Sequence, residues 1–112
     1  MDARLERSRA AILQAVTSMA DEGPLSAISI TGIVARARIS RPTLYQHFPD
    51  VLSAARAAGM QRLQRAFDVS PNRDIIQPEE SLRDTITRDA LPLFEHLVEH
   101  RSFYLRILDE AG

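Results

Sequence analysis

Apolar residues recur at intervals of three and four along almost the whole chain, and this spacing constrains the fold more than any other feature. Side chains spaced in this way lie on one face of an α-helix. No segment alternates apolar and polar residues as a half-buried β-strand would. The sequence therefore predicts an all-α fold. In the first segment the residues that follow the spacing are Leu5, Ile12, Leu13, Val16, Met19 and Ala20.

Capping and helix-breaking residues divide the first half of this pattern into one long and two short helices. The Gly-Pro pair at 23–24 ends the first helix, because Gly suits the left-handed position after a helix and Pro prevents continuation. Ser29 is the predicted N-cap of a second helix over about 30–37. Only two residues then precede Ser40, the predicted N-cap of a third helix over about 41–48. The sequence therefore predicts two short helices joined by a tight turn.

The second half is predicted to contain longer helices. Asp50 caps a helix over about 51–67, and residues 69–77 form a loop. A further helix begins near residue 78, and Pro92 is expected to kink it or split it in two. A last short helix covers about 103–108. The predicted apolar sides of these helices consist of Leu52, Ala55, Met60, Leu63, Phe67, Leu82, Ile86, Ala90, Leu93, Phe94, Leu97, Val98, Phe103, Leu105, Ile107 and Leu108.

Composition excludes several classes of protein. With 112 residues the chain has about the length of one domain, and with no Cys it has no disulfide or thiolate chemistry. The first ten residues are charged rather than apolar, and no apolar run reaches the roughly 18–20 residues of a membrane span. No Ser-His-Asp set, Gly-rich phosphate loop or carboxylate pair stands out. We therefore expect a soluble, cytoplasmic protein that is not an enzyme, has no cofactor and contacts no membrane.

The charges are unevenly distributed. Residues 1–48 hold 6 Arg and 4 acidic residues, a net +2, whereas residues 49–112 hold 8 Arg and 11 acidic residues, a net −3. All 14 basic residues are Arg, the side chain suited to bidentate contacts with phosphates and base edges. An all-Arg count is equally typical of a GC-rich genome. Charge alone therefore does not establish a nucleic-acid partner.

The third helix carries the residues that indicate function. Two short helices joined by a tight turn, behind a longer helix, form a three-helix helix-turn-helix unit, whose second short helix enters the DNA major groove. Arg41 in the first turn can reach guanine O6 and N7, and Pro42 with Thr43 suits a thymine methyl and a nearby phosphate. The groups expected to contact phosphate oxygens are those of Ser40, Tyr45 and His47. Leu44 and Phe48, four residues apart, are expected to face inward.

Residues 9 to about 55 resemble the DNA-binding part of TetR-family transcriptional regulators. The resemblance implies a bacterial repressor that binds a palindromic operator in double-stranded DNA as a homodimer, with C-terminal helices that bind a small-molecule inducer. It divides the chain into a helix-turn-helix DNA-binding domain at 1–50 and, at 51–112, a linking helix with part of an effector-binding and dimerisation domain. It is carried by Arg9, Ile12, Leu13, Ala15, Val16, Gly23, Ser29, Ile30, Ile33, Ala37, Ile39, Ser40, Thr43, Leu44, Tyr45, His47 and Phe48.

Carried onto this sequence, the resemblance assigns residues to two kinds of DNA contact. Contacts within the groove are implied for Arg41, Pro42, Thr43 and Tyr45, and contacts with the DNA backbone for Ser29, Thr31, Ser40 and His47. The chain also ends before the pair of late helices through which the family dimerises. We therefore expect the homodimer in a full-length form rather than in this chain.

Four positions depart from the family pattern, one of them Gly32, where a good helix former is common. Arg38 occupies the turn position that the family usually fills with Gly, where a left-handed φ costs a non-Gly residue roughly 1–2 kcal/mol unless the turn adopts another geometry. Val34 replaces a small Ala between the two short helices. Val51 replaces a Lys that contacts phosphate, which should flatten the salt dependence of binding by about one unit of slope. We expect Arg38 to supply a replacement charge, and we predict weaker DNA binding than that of a typical member.

Two alternatives to this interpretation remain open. The departures and the absent dimerisation helices also fit a helical protein-interaction module, or a degenerate remnant with weak or no DNA binding. Separately, residues 96–100 spell H-x-x-E-H, a zinc-protease pattern whose two His lie on one helical face. The chain offers little room for a distal acidic ligand, so we expect a solvated His/Glu face there and no metal.

Overall fold

The chain is described by a computed structural model over residues 2–68 and 82–111. Within these ranges the chain is helical and contains no β-strand, so the all-α prediction is confirmed there. A short 3-10 turn, Leu25–Ala27, connects the first two α-helices. The α-helices are α1 Ala3–Glu22, α2 Ile30–Ala37, α3 Arg41–His47, α4 Val51–Asp68, α5 Leu82–Glu99 and α6 Arg101–Ala111.

Three short polar side chains begin the helices at the predicted positions. The Ser29 hydroxyl accepts a hydrogen bond from the Gly32 amide at 2.9 Å, and the Ser40 hydroxyl accepts one from Thr43 at 3.2 Å. The Asp50 carboxylate accepts from the Ser53 amide at 2.8 Å, which holds the pKa of Asp50 below its usual value. Each cap satisfies an amide that has no partner within its own helix. The three predicted N-caps are confirmed.

The turn between α2 and α3 adopts the left-handed geometry that Gly usually provides. Arg38 has φ 58° and ψ 49°, and the amide of Ile39 donates to the Val34 carbonyl at 3.1 Å. This bond closes the end of α2 in the manner of a Schellman motif. Because Arg38 carries a Cβ, the turn is strained relative to one built with Gly.

One hydrophobic core joins the N-terminal and C-terminal helices. Ile12 and Val16 from α1 are fully buried, and Phe103 from α6 belongs to the same cluster of packed side chains. Helix α1 contacts α2, α3, α4 and α6, so it lies at the centre of the fold. This core crosses the predicted domain boundary between residues 50 and 51. The division into two domains stays a prediction.

Gly59 allows α6 to approach α4 closely. A Cβ at this position would lie 2.9 Å from Cδ1 of Ile107 and 3.8 Å from Cε1 of Phe103. The first distance is shorter than real Cβ contacts, so a larger residue would require the end of the Ile107 side chain to shift. The small Gly59 thus fits the packing of α6 on α4, although Gly costs a helix up to about 1 kcal/mol relative to Ala.

Some predictions for the later helices are wrong. Helix α5 continues through Pro92, so it is not split there, and the alternative of a kink stays a prediction. Its start near residue 78, the loop at 69–77 and the side chains of Leu82 and Ile86 lie outside the described parts of the chain. The predicted core residues that are exposed instead are Met60, Phe67, Ala90, Phe94, Leu97, Val98, Leu105 and Leu108. The outer helices pack on one side only, and Phe103 and Ile107 fill that side of α6.

None of the helices in the described ranges has the length and apolarity needed to cross a membrane.

Candidate nucleic-acid interface

Helix α3 separates into an inward apolar side and an outward polar side. Leu44 is 1% exposed and Phe48 is 6% exposed, and both belong to the main core. The predicted anchoring role of these two residues is confirmed. On the other side Arg41 and Pro42 are exposed, and Tyr45 keeps 50% of its surface accessible. The helix thus presents the groups that the sequence assigned to the major groove.

The first turns of α2 and α3 are joined by hydrogen bonds between exposed side chains. The guanidinium of Arg41 donates from Nη2 to the hydroxyl of Thr31. Within α3, the hydroxyls of Ser40 and Thr43 lie 2.8 Å apart and share a hydrogen bond. The structure therefore places four of the predicted DNA-contacting residues in one polar patch, which we call the α2–α3 polar patch: Thr31, Ser40, Arg41 and Thr43.

Two further predicted DNA contacts lie at the two ends of α2. Ser29 and Arg38 are both exposed, one at the start of α2 and the other at its end. The Ser29 hydroxyl accepts from the Gly32 amide, but its own proton is left to donate to a phosphate oxygen. Arg38 is exposed in the turn that joins α2 to α3.

His47 is half-buried, and its geometry differs from the sequence-based expectation. Its Nε2 atom is shielded from solvent and has no hydrogen-bond partner in the described residues. The ring lies 6.3 Å from that of Phe48, measured between centroids. A phosphate contact from this imidazole would therefore have to come from Nδ1 rather than from Nε2.

A further cation near α3 was not among the predicted site residues. The guanidinium carbon of Arg9 lies 4.8 Å from the centroid of the Phe48 ring, within the range of a cation–π interaction. Arg9 is exposed, so its charge lies at the surface beside the end of α3. The signal was present in the sequence: Arg9 shares the helical spacing of Ile12, Leu13 and Val16 and continues their stripe to the edge of the core.

Two Arg side chains tie the end of α1 to the later helices. Arg62 forms a bidentate ion pair with Asp21, at 2.8 and 3.0 Å, and its guanidinium carbon lies 4.6 Å from the Phe103 ring centroid. Arg106 donates from Nη1 to the backbone carbonyls of Ala20 and Asp21. The carbonyls at the end of a helix have no intrahelical partner, so Arg106 caps α1 from α6.

A cavity of about 570 Å³ opens beside this junction, between α1, α4 and α5. Its size falls in the range of small-molecule sites. The resemblance implied an inducer in the C-terminal helices, and that expectation stays a prediction. The residues that line the cavity are Ala10, Gln14, Thr17, Ser18, Asp21, Gln61, Arg62, Arg65, Ala66 and His96.

The two His of the H-x-x-E-H pattern lie side by side. The rings of His96 and His100 are 4.6 Å apart, and Nε2 of His96 shares a hydrogen bond with the Tyr104 hydroxyl at 2.7 Å. Burial lowers the pKa of His96, and the nearby His100 and Arg62 lower it further. Across the described residues, no group of three or more His, Cys, Asp or Glu side chains is placed to hold a metal ion.

Comparison with known proteins gives no assignment, since no family model, curated protein or solved structure matches the chain.

Proposed function

We propose that the chain is a sequence-specific DNA-binding transcriptional regulator, acting as a repressor, with α3 as the helix that enters the major groove. The observation that carries this proposal is the division of α3 into buried Leu44 and Phe48 on one side and exposed Arg41 and Tyr45 on the other. A seven-residue helix has little stability of its own. Polar and aromatic groups on its exposed side therefore fit contact with a partner better than stabilisation of the helix.

The arrangement of the first three helices supports this function. Helices α2 and α3, joined through Arg38 and Ile39 and supported by α1, fit a helix-turn-helix unit. Both α2 and α3 contact α1, and the α2–α3 polar patch lies on exposed side chains at the start of both short helices. Residues 9 to about 55 also resemble the TetR family, which supports the same class of protein.

The charge arrangement supports a modest electrostatic contribution. Arg38 and Arg41 are exposed beside α3, whereas Arg36, in the last turn of α2, is paired with Glu22 at 3.0 Å. Each phosphate that is neutralised contributes about one unit to the slope of log K against log salt concentration. We therefore expect a shallow slope, of roughly two to three units for one half-site, together with weak binding by a single copy.

A two-fold homodimer reading a palindrome belongs to the same proposal. One helix-turn-helix unit reads one half-site, and two units related by a dyad gain both affinity and specificity from the second. The resemblance to the TetR family implies such a dimer. Sedimentation with and without a palindromic duplex measures it directly.

The second candidate is a helical protein-interaction module. Large apolar side chains are exposed on both later helices, including Phe94 at 64% and Leu108 at 66%. A protein that exposes several such residues has a surface suited to a protein partner. This candidate predicts no DNA binding even at low salt.

Fluorescence anisotropy separates the two candidates. The DNA is the region upstream of the chain's own gene, with an unrelated duplex of equal length as competitor. We expect binding at low ionic strength that falls at least tenfold in Arg41→Ala and in Tyr45→Ala, as for loss of a base or backbone contact. The matched control is Arg101→Ala, an exposed Arg on α6 that should bind like the wild type. Absence of wild-type binding at 20 mM salt would favour the interaction module.

A further inference from the structure

The hydrogen bond between Arg41 and Thr31 connects the two helices at the proposed DNA face. Arg41 is the first residue of α3, and Thr31 lies in the first turn of α2. The Nη2 group of Arg41 donates to Oγ1 of Thr31, and both residues are exposed. A surface Arg usually samples many rotamers, so a specific partner on a neighbouring helix restricts where its guanidinium lies.

The bond leaves Arg41 able to recognise a base. A guanidinium has five N–H donors, and the bond to Thr31 uses one of them. Guanine presents the acceptors O6 and N7 in the major groove, and a bidentate contact with them needs two donors. Arg41 can therefore keep its bond to Thr31 while it binds guanine.

We propose that Thr31 is a positioning residue that holds Arg41 in place for a guanine of the operator half-site. This inference rests on the proposed function. In it, Thr31 acts mainly by positioning Arg41 and not by contacting DNA itself. Fixing the guanidinium beforehand removes part of the entropy that binding would otherwise cost. Thr31 therefore contributes to specificity at the base that Arg41 faces. Loss of its hydroxyl should weaken binding to DNA with guanine at that position more than binding to other DNA sequences.

A first experiment needs no DNA. In the free protein, NMR of the Arg41 guanidinium reports how fast the group rotates about the Nε–Cζ bond. We expect slow rotation in the wild type and in Thr31→Ser, which keeps the hydroxyl. Thr31→Val has nearly the same shape without the hydroxyl, and we expect fast rotation in it. Equally fast rotation in all three proteins would overturn the positioning role.

A second experiment measures the consequence for recognition. Wild-type protein selects duplexes from a library with a randomised 20-bp core, and anisotropy is then measured on the selected duplex. A second duplex carries 7-deazaguanine, which lacks the N7 acceptor. It replaces the guanine that the wild type selects and the Arg41→Ala variant does not. We expect Thr31→Val to weaken binding to the natural duplex by about three- to tenfold, as for one side chain that must be immobilised. We expect Thr31→Ser to bind like the wild type.

Coupling between the two residues decides the outcome. In the Arg41→Ala background, and on the 7-deazaguanine duplex, Thr31→Val should have almost no effect. An equal loss in every background would assign the Thr31 hydroxyl directly to phosphate and overturn the proposal. A selection that enriches no guanine opposite Arg41 would overturn it as well. If no library member binds the wild type, the proposed function itself fails.

Discussion

At Arg38 the sequence indicates a possible left-handed turn, but whether the protein tolerates the strain of that turn depends on the fold. The position of this residue after α2 suggested a left-handed turn built without Gly, and the structure has that geometry, with φ 58°. Arg38 is the non-Gly residue of the described ranges with positive φ. The strain persists because α2 and α3 both pack on α1, which holds the two ends of the turn.

Replacing Arg38 by Gly should therefore stabilise the protein. The left-handed strain of roughly 1–2 kcal/mol is removed, while the greater freedom of Gly in the unfolded chain costs roughly 0.5–1 kcal/mol. We expect Arg38→Gly to raise the free energy of unfolding, measured in urea, by about 0.5–1 kcal/mol. Arg38→Ala keeps a Cβ and should give no gain. If the Ala variant were stabilised as much as the Gly variant, strain would not be the cause.

His96 gives the stability of the fold a pH dependence of predictable sign. Its pKa in the folded protein lies below the usual 6.5, mainly because burial disfavours the charged ring. Below pH 6.5 the unfolded chain takes up a proton that the folded chain does not. The contribution of His96 to stability is therefore complete above about pH 6.5 and is lost as the pH falls through the lowered pKa.

The expected result is a thermal midpoint that falls more between pH 7.5 and pH 5.5 in the wild type than in His96→Gln. The matched control is His100→Gln, one turn away, which should keep most of the fall. Scanning calorimetry at the two pH values measures both. A His96→Gln protein with the wild-type pH dependence would show that this ring is not responsible.

At the scale of the element, α3 depends on its cap more than the longer helices do. It has seven residues, fewer than the roughly 12–15 at which an isolated helix becomes even marginal in water. The Ser40 hydroxyl accepts from the Thr43 amide and shares a second bond with the Thr43 hydroxyl. Capping and burial of Leu44 and Phe48 thus act together to hold the helix.

Ser40→Ala should destabilise the protein by about 1 kcal/mol, because the first turn loses its N-cap. Urea denaturation followed by circular dichroism measures this loss. Ser40→Asp restores a good cap and should recover the stability, but its negative charge should weaken DNA binding, since Ser40 faces the proposed phosphate side. An Asp variant that binds DNA as well as the wild type would remove Ser40 from the interface.

For the whole molecule, the important observation is that one core extends from α1 to α6. Phe103 is 1% exposed and packs against Tyr104 and the guanidinium of Arg62, which in turn pairs with Asp21 at the end of α1. The helices proposed to bind DNA therefore share their support with the last helix. A loss of packing in α6 should reach α1.

Phe103→Ala should cost about 3–4 kcal/mol, as for other buried Phe residues. It should also speed amide hydrogen exchange at Ile12 and Val16, far from it in sequence. Leu108→Ala, on the exposed side of the same helix, should change stability by less than about 0.5 kcal/mol. Unchanged protection of α1 in the Phe103 variant would indicate that the 1–50 and 51–112 parts fold as separate domains.

The sequence alone was sufficient for much of the local structure, although Gly23, expected in the left-handed conformation after α1, is extended with φ −170°. The spacing of apolar residues, the N-cap residues and the helix-breaking residues specified α2 and the starts of α3 and α4. These signals act between residues only a few positions apart. The sequence also identified Leu44 and Phe48 as inward-facing. The predicted DNA contacts on α3 followed from its place after the tight turn, whereas Thr31 followed from the resemblance; the structure brings Thr31, Ser40, Arg41 and Thr43 into one patch.

Only the tertiary structure decided which apolar faces are covered. A stripe on α5 and α6 looks the same in sequence whether or not another helix packs on it, and here Phe94, Leu105 and Leu108 are exposed while Phe103 is buried. The bond from Arg41 to Thr31 and the cap from Arg106 onto α1 could not be predicted from the sequence either. Each joins residues on different elements, and their distance depends on how whole helices pack rather than on any local pattern.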